Sequence, residues 1–188
     1  MKRMSSLHVI SALLAVTTAC GAGQEGAAPS ASTASSAVVS EQAERPHFDC
    51  GRNHGDFDGD GVSEAVEDQL EIARKAVCKF RRVEAALAAG YHDTGLPCIP
   101  GQGYHFIKDS LVGTTNIREP SVLMYTLSGE LNSPEWVAPI DSFPVPPSIF
   151  GQTMHADDDL GLWILHVWVW KPNPNGVFED VNPTVTCP

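Results

Sequence analysis

Leu162-Trp-Ile-Leu-His-Val-Trp-Val-Trp170 carries no formal charge and places large apolar side chains at both odd and even positions. A strand with one wet face alternates apolar and polar residues. A run that is apolar on both faces predicts a strand covered on each side, so Leu162–Lys171 is expected at the centre of a sheet. Three further strands are expected at Tyr104–Lys108, Ser121–Leu127 and Trp136–Ile140, each bounded by Gly, Pro, Asn and Asp. Pro144-Val-Pro-Pro147 lacks several amide donors and reads as an irregular or polyproline segment, and Asn173-Pro-Asn-Gly176 reads as a turn.

Upstream of the strands the period changes. Val66, Leu70, Ala73, Val77, Phe80, Val83 or Ala86, and Leu87 recur at steps of three and four, which predicts one amphipathic helix over Val62–Ala89. Glu64 and Glu67 suit its positive first turn, Arg81 and Arg82 sit toward its end, and Gly90 supplies the stop. A helix of this length is expected to bend near Lys75–Cys78. The fold class expected is therefore α+β, with one long N-terminal helix packed on a mainly antiparallel sheet or small barrel. Disulfides staple it.

The N-terminus reads as an export signal. Lys2 and Arg3 precede an apolar stretch, Leu7–Val16, that is too short to span a bilayer. Thr17-Thr18-Ala19-Cys20 follows, and it resembles the lipobox of bacterial lipoproteins except at Thr17, where an aliphatic residue is usual. Residues 1–20 are thus expected to be a lipoprotein-type signal peptide with lipidation at Cys20, plain secretion being the alternative. Residues 21–45 are almost entirely small or polar and read as a flexible tether. Residues 46–71 hold a disulfide-held loop, an acidic loop and the helix start, and 72–188 form the globular domain. The chain has 12 Lys and Arg against 23 Asp and Glu, a net charge of −11. Without residues 1–20 ten cations remain and the charge is −13, which argues against nucleic acid as a partner.

Once Cys20 is set aside, Cys50, Cys78, Cys98 and Cys187 remain. An even number in an exported chain implies two disulfides with three possible connectivities. Cys50–Cys78 with Cys98–Cys187 is preferred. It pins the segment before the helix to the helix, and ties the C-terminal residues into the fold.

Two constellations carry chemistry. In Asp56-Phe-Asp-Gly-Asp-Gly-Val-Ser-Glu-Ala-Val-Glu67, Asp56, Asp58, Asp60, Glu64 and Glu67 stand at positions one, three, five, nine and twelve of a calcium loop, with Gly61 at the sixth and the Val62 carbonyl at the seventh. Ser63 departs from the EF-hand pattern, and the loop looks more like the Asp-rich calcium repeats of bacterial surface proteins. The expected role is structural. The second constellation is His105, His155 and His166 with a carboxylate such as Glu130 or Glu135. Strand histidines on one wall joined by a carboxylate form a facial transition-metal site. Alternation places His166 with Ile164, Trp168 and Trp170, predicting an aromatic pocket, although buried histidines bonded to carbonyls satisfy the same pattern. Asp157-Asp158-Asp159 reads as a solvated loop. No nucleophile elbow, phosphate-cradling loop or dinucleotide fingerprint is present.

Ala85-Ala-Leu-Ala-Ala-Gly-Tyr91, Pro97-Cys98, Gly101-Gln-Gly-Tyr-His-Phe106, Pro120-Ser-Val-Leu-Met-Tyr125, Phe150-Gly-Gln152, His166-Val-Trp-Val-Trp-Lys-Pro-Asn-Pro-Asn-Gly-Val-Phe178 and Asn182-Pro-Thr-Val-Thr-Cys187 stand in this order. Together they resemble a group of exported bacterial proteins described only as hypothetical, over about residues 72–188. That group commonly has an acid where Ser121 stands and Tyr-Glu where Tyr125-Thr126 stands. The resemblance implies a domain boundary and no activity. The function expected is a calcium-stabilised, membrane-tethered lipoprotein of the cell envelope that binds an unidentified small molecule or envelope component. The alternative is a metal-dependent enzyme with a His-lined site of His105, Glu135, His155 and His166.

Overall fold

Helix α1 runs Glu64–Val77 and continues as a 3₁₀ turn over Cys78–Phe80. Ser63, in extended conformation, starts it, and Glu64 and Glu67 lie in its first turn, where carboxylates complement the helix dipole. Leu70, Ala73 and Val77 are fully buried, so the three–four spacing becomes one apolar stripe facing the core. Removing a side chain the size of Leu70 from water contributes roughly 1.5–3 kcal/mol. The structure is a computed structural model that describes Cys50 and residues 61–188, all within one unit, Glu44–Pro188. The signal segment, Cys20, the tether, Asp56, Asp58 and Asp60 lie outside them. No described helix is long and apolar enough to cross a membrane.

The single long helix is corrected: it is broken at Arg81-Arg82. Arg82 is extended (φ −117°, ψ 137°) and forms an isolated bridge with Glu130. The Leu131 amide donates to the Arg81 carbonyl and the Val83 amide to the Gly129 carbonyl. Two backbone hydrogen bonds to a neighbouring turn thus replace helix bonds, and helix α2 restarts at Val83–Ala88. The break expected near Lys75–Cys78 is present as the change from α to 3₁₀ geometry at Cys78, and the chain leaves helical conformation at Arg82. Gly90 does stop the helical segment, since with φ +90° it lets the Tyr91 amide reach the Ala86 carbonyl.

The sheet has six antiparallel strands: β1 (His92–Asp93), β2 (Tyr104–Ile107), β3 (Val122–Tyr125), β4 (Leu131–Pro139), β7 (His155–Asp157) and β8 (Leu162–His166). Their order is β1-β2-β3-β4-β8-β7, with β1 and β7 at the edges, so the described sheet is open rather than a closed barrel. A separate hairpin pairs β5 (Ser148–Ile149) with β6 (Gln152–Thr153). Strand β4 starts five residues before the expected Trp136, and β8 ends five residues before the expected Lys171.

Pro134 explains the second difference. The Val167 amide donates to the Pro134 carbonyl, but proline has no amide to return the bond. The Ser133 hydroxyl donates to the Val167 carbonyl instead, at 2.7 Å. The ladder closes there, and Trp168 turns away to donate its amide to the Val177 carbonyl. Alternation of faces still persists through Val169, with Val167 and Val169 in the main core and Trp168 on the His166 side, and fails at Trp170. Trp168 joins Met124 and Val185, whereas Trp170 packs against the main core, so the expected grouping of Trp170 with His166 is corrected.

The two faces of the sheet are both covered, by different material. Phe106, Leu123, Tyr125, Leu131, Trp136, Leu165 and the α1 stripe form the main core. Opposite it, Val122, Val137 and Ile164 form one small apolar cluster and Met124, Trp168 and Val185 another. Disulfides close Cys50–Cys78 and Cys98–Cys187, the pairing preferred from the sequence. The second holds the C-terminal residues against the loop before β2, where the Asn182 amide donates to the Gly101 carbonyl and the Gly101 amide to the Val185 carbonyl.

Candidate metal centre

The register of the sheet places three ligand-type side chains together on the face away from α1. His105 stands opposite Met124, Val122 opposite Glu135, and Glu135 opposite His166. Side chains two residues apart share a face, so His105, Glu135 and His166 project to one side from three different strands. Each is buried, at 6%, 4% and 3% exposure respectively. One ligand atom from each lies within 4.8 Å of the others. Such a group can hold a metal ion.

The distances fit that role better than a hydrogen-bonded one. His105 Nε2 is 3.8 Å from Glu135 Oε2, and His166 Nε2 is 3.9 Å from Glu135 Oε1. Both are too long for hydrogen bonds. Among the described residues, Glu135 Oε2, His166 Nε2 and His166 Nδ1 are buried without a hydrogen-bond partner. Leaving several such atoms unsatisfied in an apolar shell costs about 1–3 kcal/mol each. Nitrogen and oxygen ligands bind zinc-like ions at about 2.0–2.2 Å, which sets ligand atoms about 3.3 Å apart in tetrahedral geometry. The two histidine–carboxylate pairs need about half an ångström of contraction to reach that spacing, and the widest pair of ligand atoms up to about 1.5 Å.

The electrostatics keep one ring in its ligating form. Burial pushes the His105 imidazolium pKa below the ordinary histidine value, and the neighbouring His166 pushes the same way. Glu135 and the Gly103 carbonyl oppose the shift, and burial dominates. A neutral imidazole is the form that binds a metal.

The other sequence-predicted residues divide clearly. Glu130 is on the surface, 3.6 Å from Arg82, and takes no part in the group. His155 lies on edge strand β7, half-exposed, and stays outside the cluster of three. Its partner is Asp180, with Nε2 to Oδ1 at 3.2 Å, and the same Oδ1 lies 3.6 Å from His166 Nδ1. His166, with burial opposing and His155 adding, holds the Asp180 carboxyl below the usual carboxylate range. Asp180 carries no sequence signal: it sits in an irregular segment, and only tertiary structure brings it to β8. The Trp168 ring stacks on His166 with centroids 6.4 Å apart, so part of the expected aromatic lining is present. Asp158 and Asp159 are exposed in the β7–β8 turn, as read, whereas Asp157 ends strand β7 and is half-buried.

Of the acidic loop, Val62, Glu64 and Glu67 are described and Asp56, Asp58 and Asp60 are not. Gly61 has φ +71°, the left-handed conformation that the sixth position of a calcium loop requires.

No protein-family model, curated protein or solved structure matches the chain.

Proposed function

We propose that this is an exported metal-binding protein in which His105, Glu135 and His166 hold one divalent first-row transition ion, such as zinc or iron(II). The carrying observation is a buried His–Glu–His group, with ligand atoms within 4.8 Å and several of its polar atoms unpartnered. Two histidines with one carboxylate are the ligand set of several zinc hydrolases and of the iron facial triad. Structural zinc sites close with four protein ligands, whereas three leave a position open to water or substrate. That count favours a metal-dependent enzyme over a purely structural ion. Elemental analysis of natively purified protein tests the reading. One equivalent of a transition metal is expected, lost on His105→Ala or His166→Ala. Native protein with no such metal, which also takes up none after addition of zinc, overturns it.

A second ion has its own support. We infer that residues 56–67 bind calcium structurally through Asp56, Asp58, Asp60, Glu64, Glu67 and the Val62 carbonyl. The left-handed Gly61 and the placement of Glu67 at the start of α1 favour this reading. In that role calcium orders the entrance to the domain and takes no part in the chemistry at His166. Export and a lipid anchor at Cys20 complete the proposal, supported by the lipobox-like sequence and by two disulfides, which persist in oxidising compartments. Palmitate labelling of the wild-type chain that disappears in Cys20→Ser would establish the anchor.

A further inference from the structure

His166 offers two buried ring nitrogens, and only one of them faces the other ligands. Nε2 points to Glu135, 3.9 Å from Oε1, while Nδ1 lies 3.6 Å from Asp180 Oδ1. A histidine that binds a metal through Nε2 carries its proton on Nδ1, and that proton needs an acceptor. Among the described residues His166 Nδ1 has no hydrogen-bond partner, and Asp180 is the carboxylate placed beside it. A shift of a few tenths of an ångström brings the two into hydrogen-bonding range.

The surroundings fix Asp180 although its side chain is 55% exposed. Gln102 Nε2 donates to the Asp180 carbonyl, and Trp168 Nε1 donates to the Glu179 carbonyl at 2.6 Å. Two residues on, Asn182 is fully buried, and its side-chain amide donates to the Pro172 carbonyl. The Cys98–Cys187 disulfide then closes the segment. From the solvent side His155 Nε2 sits 3.2 Å from Asp180 Oδ1. The carboxylate is thus held between an exposed imidazole and a buried one.

We propose that Asp180 is the outer-sphere partner of His166: it accepts the Nδ1 proton in a hydrogen bond, commits the ring to binding through Nε2, and is itself steadied by His155. This rests on the metal-centre reading. Asp180 is a positioning residue, and the C-terminal segment that carries it becomes part of the site.

The test is cobalt(II) titration of the full, metal-stripped chain, followed by visible absorption. Asp180→Ala is expected to weaken cobalt binding about 10–100-fold, the usual effect of losing a ligand's outer partner, with stoichiometry still one. The ligand-field bands shift, Asp180→Glu restores part of the affinity, and His155→Ala gives a smaller loss. The melting temperature of metal-free Asp180→Ala stays near wild type, which separates positioning from folding. Wild-type affinity and an unshifted spectrum in Asp180→Ala overturn the proposal while leaving the metal centre standing. An equal loss in Asp158→Ala, which removes a surface charge from the β7–β8 turn, also overturns it by reducing the effect to general electrostatics. A wild-type chain that binds no cobalt sinks the metal reading and this inference together.

Discussion

Single residues decide whether the ligand-bearing strands can approach one another, and Gly103 is the clearest case. Its φ is +106°, and a Cβ there would run into the Tyr125 carbonyl oxygen and lie 2.7 Å from Asn132 Nδ2. Gly103 is two residues before His105, so the close approach also sets where that imidazole enters the site. Gly103→Ala should cost more than about 2 kcal/mol in urea unfolding, because backbone strain and a clash with fixed backbone add. Gly95, with φ +76° and open space around its Cα, is the control. Gly95→Ala bears strain alone and should lose no more than about 1 kcal/mol. Equal losses at the two positions would show that crowding at Gly103 is immaterial. The pattern Gly101-Gln-Gly-Tyr-His marks a turn before a strand, which is legible in the sequence. That the second glycine faces a carbonyl across β3 is a property of the register.

Among elements, helix α1 and the strand ladder follow different logics. The helix stripe of Leu70, Ala73 and Val77 was readable because burial and the 3.6-residue period coincide. Its end was not, since Arg81 and Arg82 have good helix propensity and yield only to backbone bonding with the 129–131 turn. Strand β8 shows the same contrast: the apolar run announces a strand, while a proline in β4 decides that it stops at His166. The start of α1 is where a calcium loop would act. Calcium added to metal-stripped protein is expected to raise the melting temperature by several degrees, and Asp56→Ala to remove that rise. A wild-type chain that melts at the same temperature with and without calcium contradicts the assignment.

At the scale of the whole molecule, two tyrosines tie sheet to helices through buried hydroxyls. Tyr91 donates to the Pro120 carbonyl at 2.7 Å and Tyr125 to the Phe80 carbonyl at 2.8 Å. Burial raises both phenol pKa values well above the usual tyrosine value of about 10, with Glu119 adding to the shift at Tyr91 and the Tyr91–Tyr125 proximity at Tyr125. The folded chain therefore favours the neutral phenol more than the unfolded chain does. The stabilisation is complete below about pH 10 and is lost as pH rises from there toward the raised folded values. Stability measured by urea unfolding should stay level up to about pH 10 and then fall. Phenolate absorbance from these two rings should appear only as near-ultraviolet circular dichroism is lost. Early ionisation in the intact fold would show that the hydroxyls are not held as described.

The sequence by itself determined the class of elements: an amphipathic helix, apolar strands between turn residues, two disulfides, and His105 and His166 on strands with Glu135 as a possible carboxylate. Those features depend on local periodicity and residue chemistry, which a linear chain displays. Tertiary structure alone decided that Glu135 rather than Glu130 meets the histidines, that His155 stands outside them, and that Asp180 comes to His166. Strand register and a disulfide spanning 89 residues set these placements, and no local pattern encodes a meeting of residues so far apart along the chain.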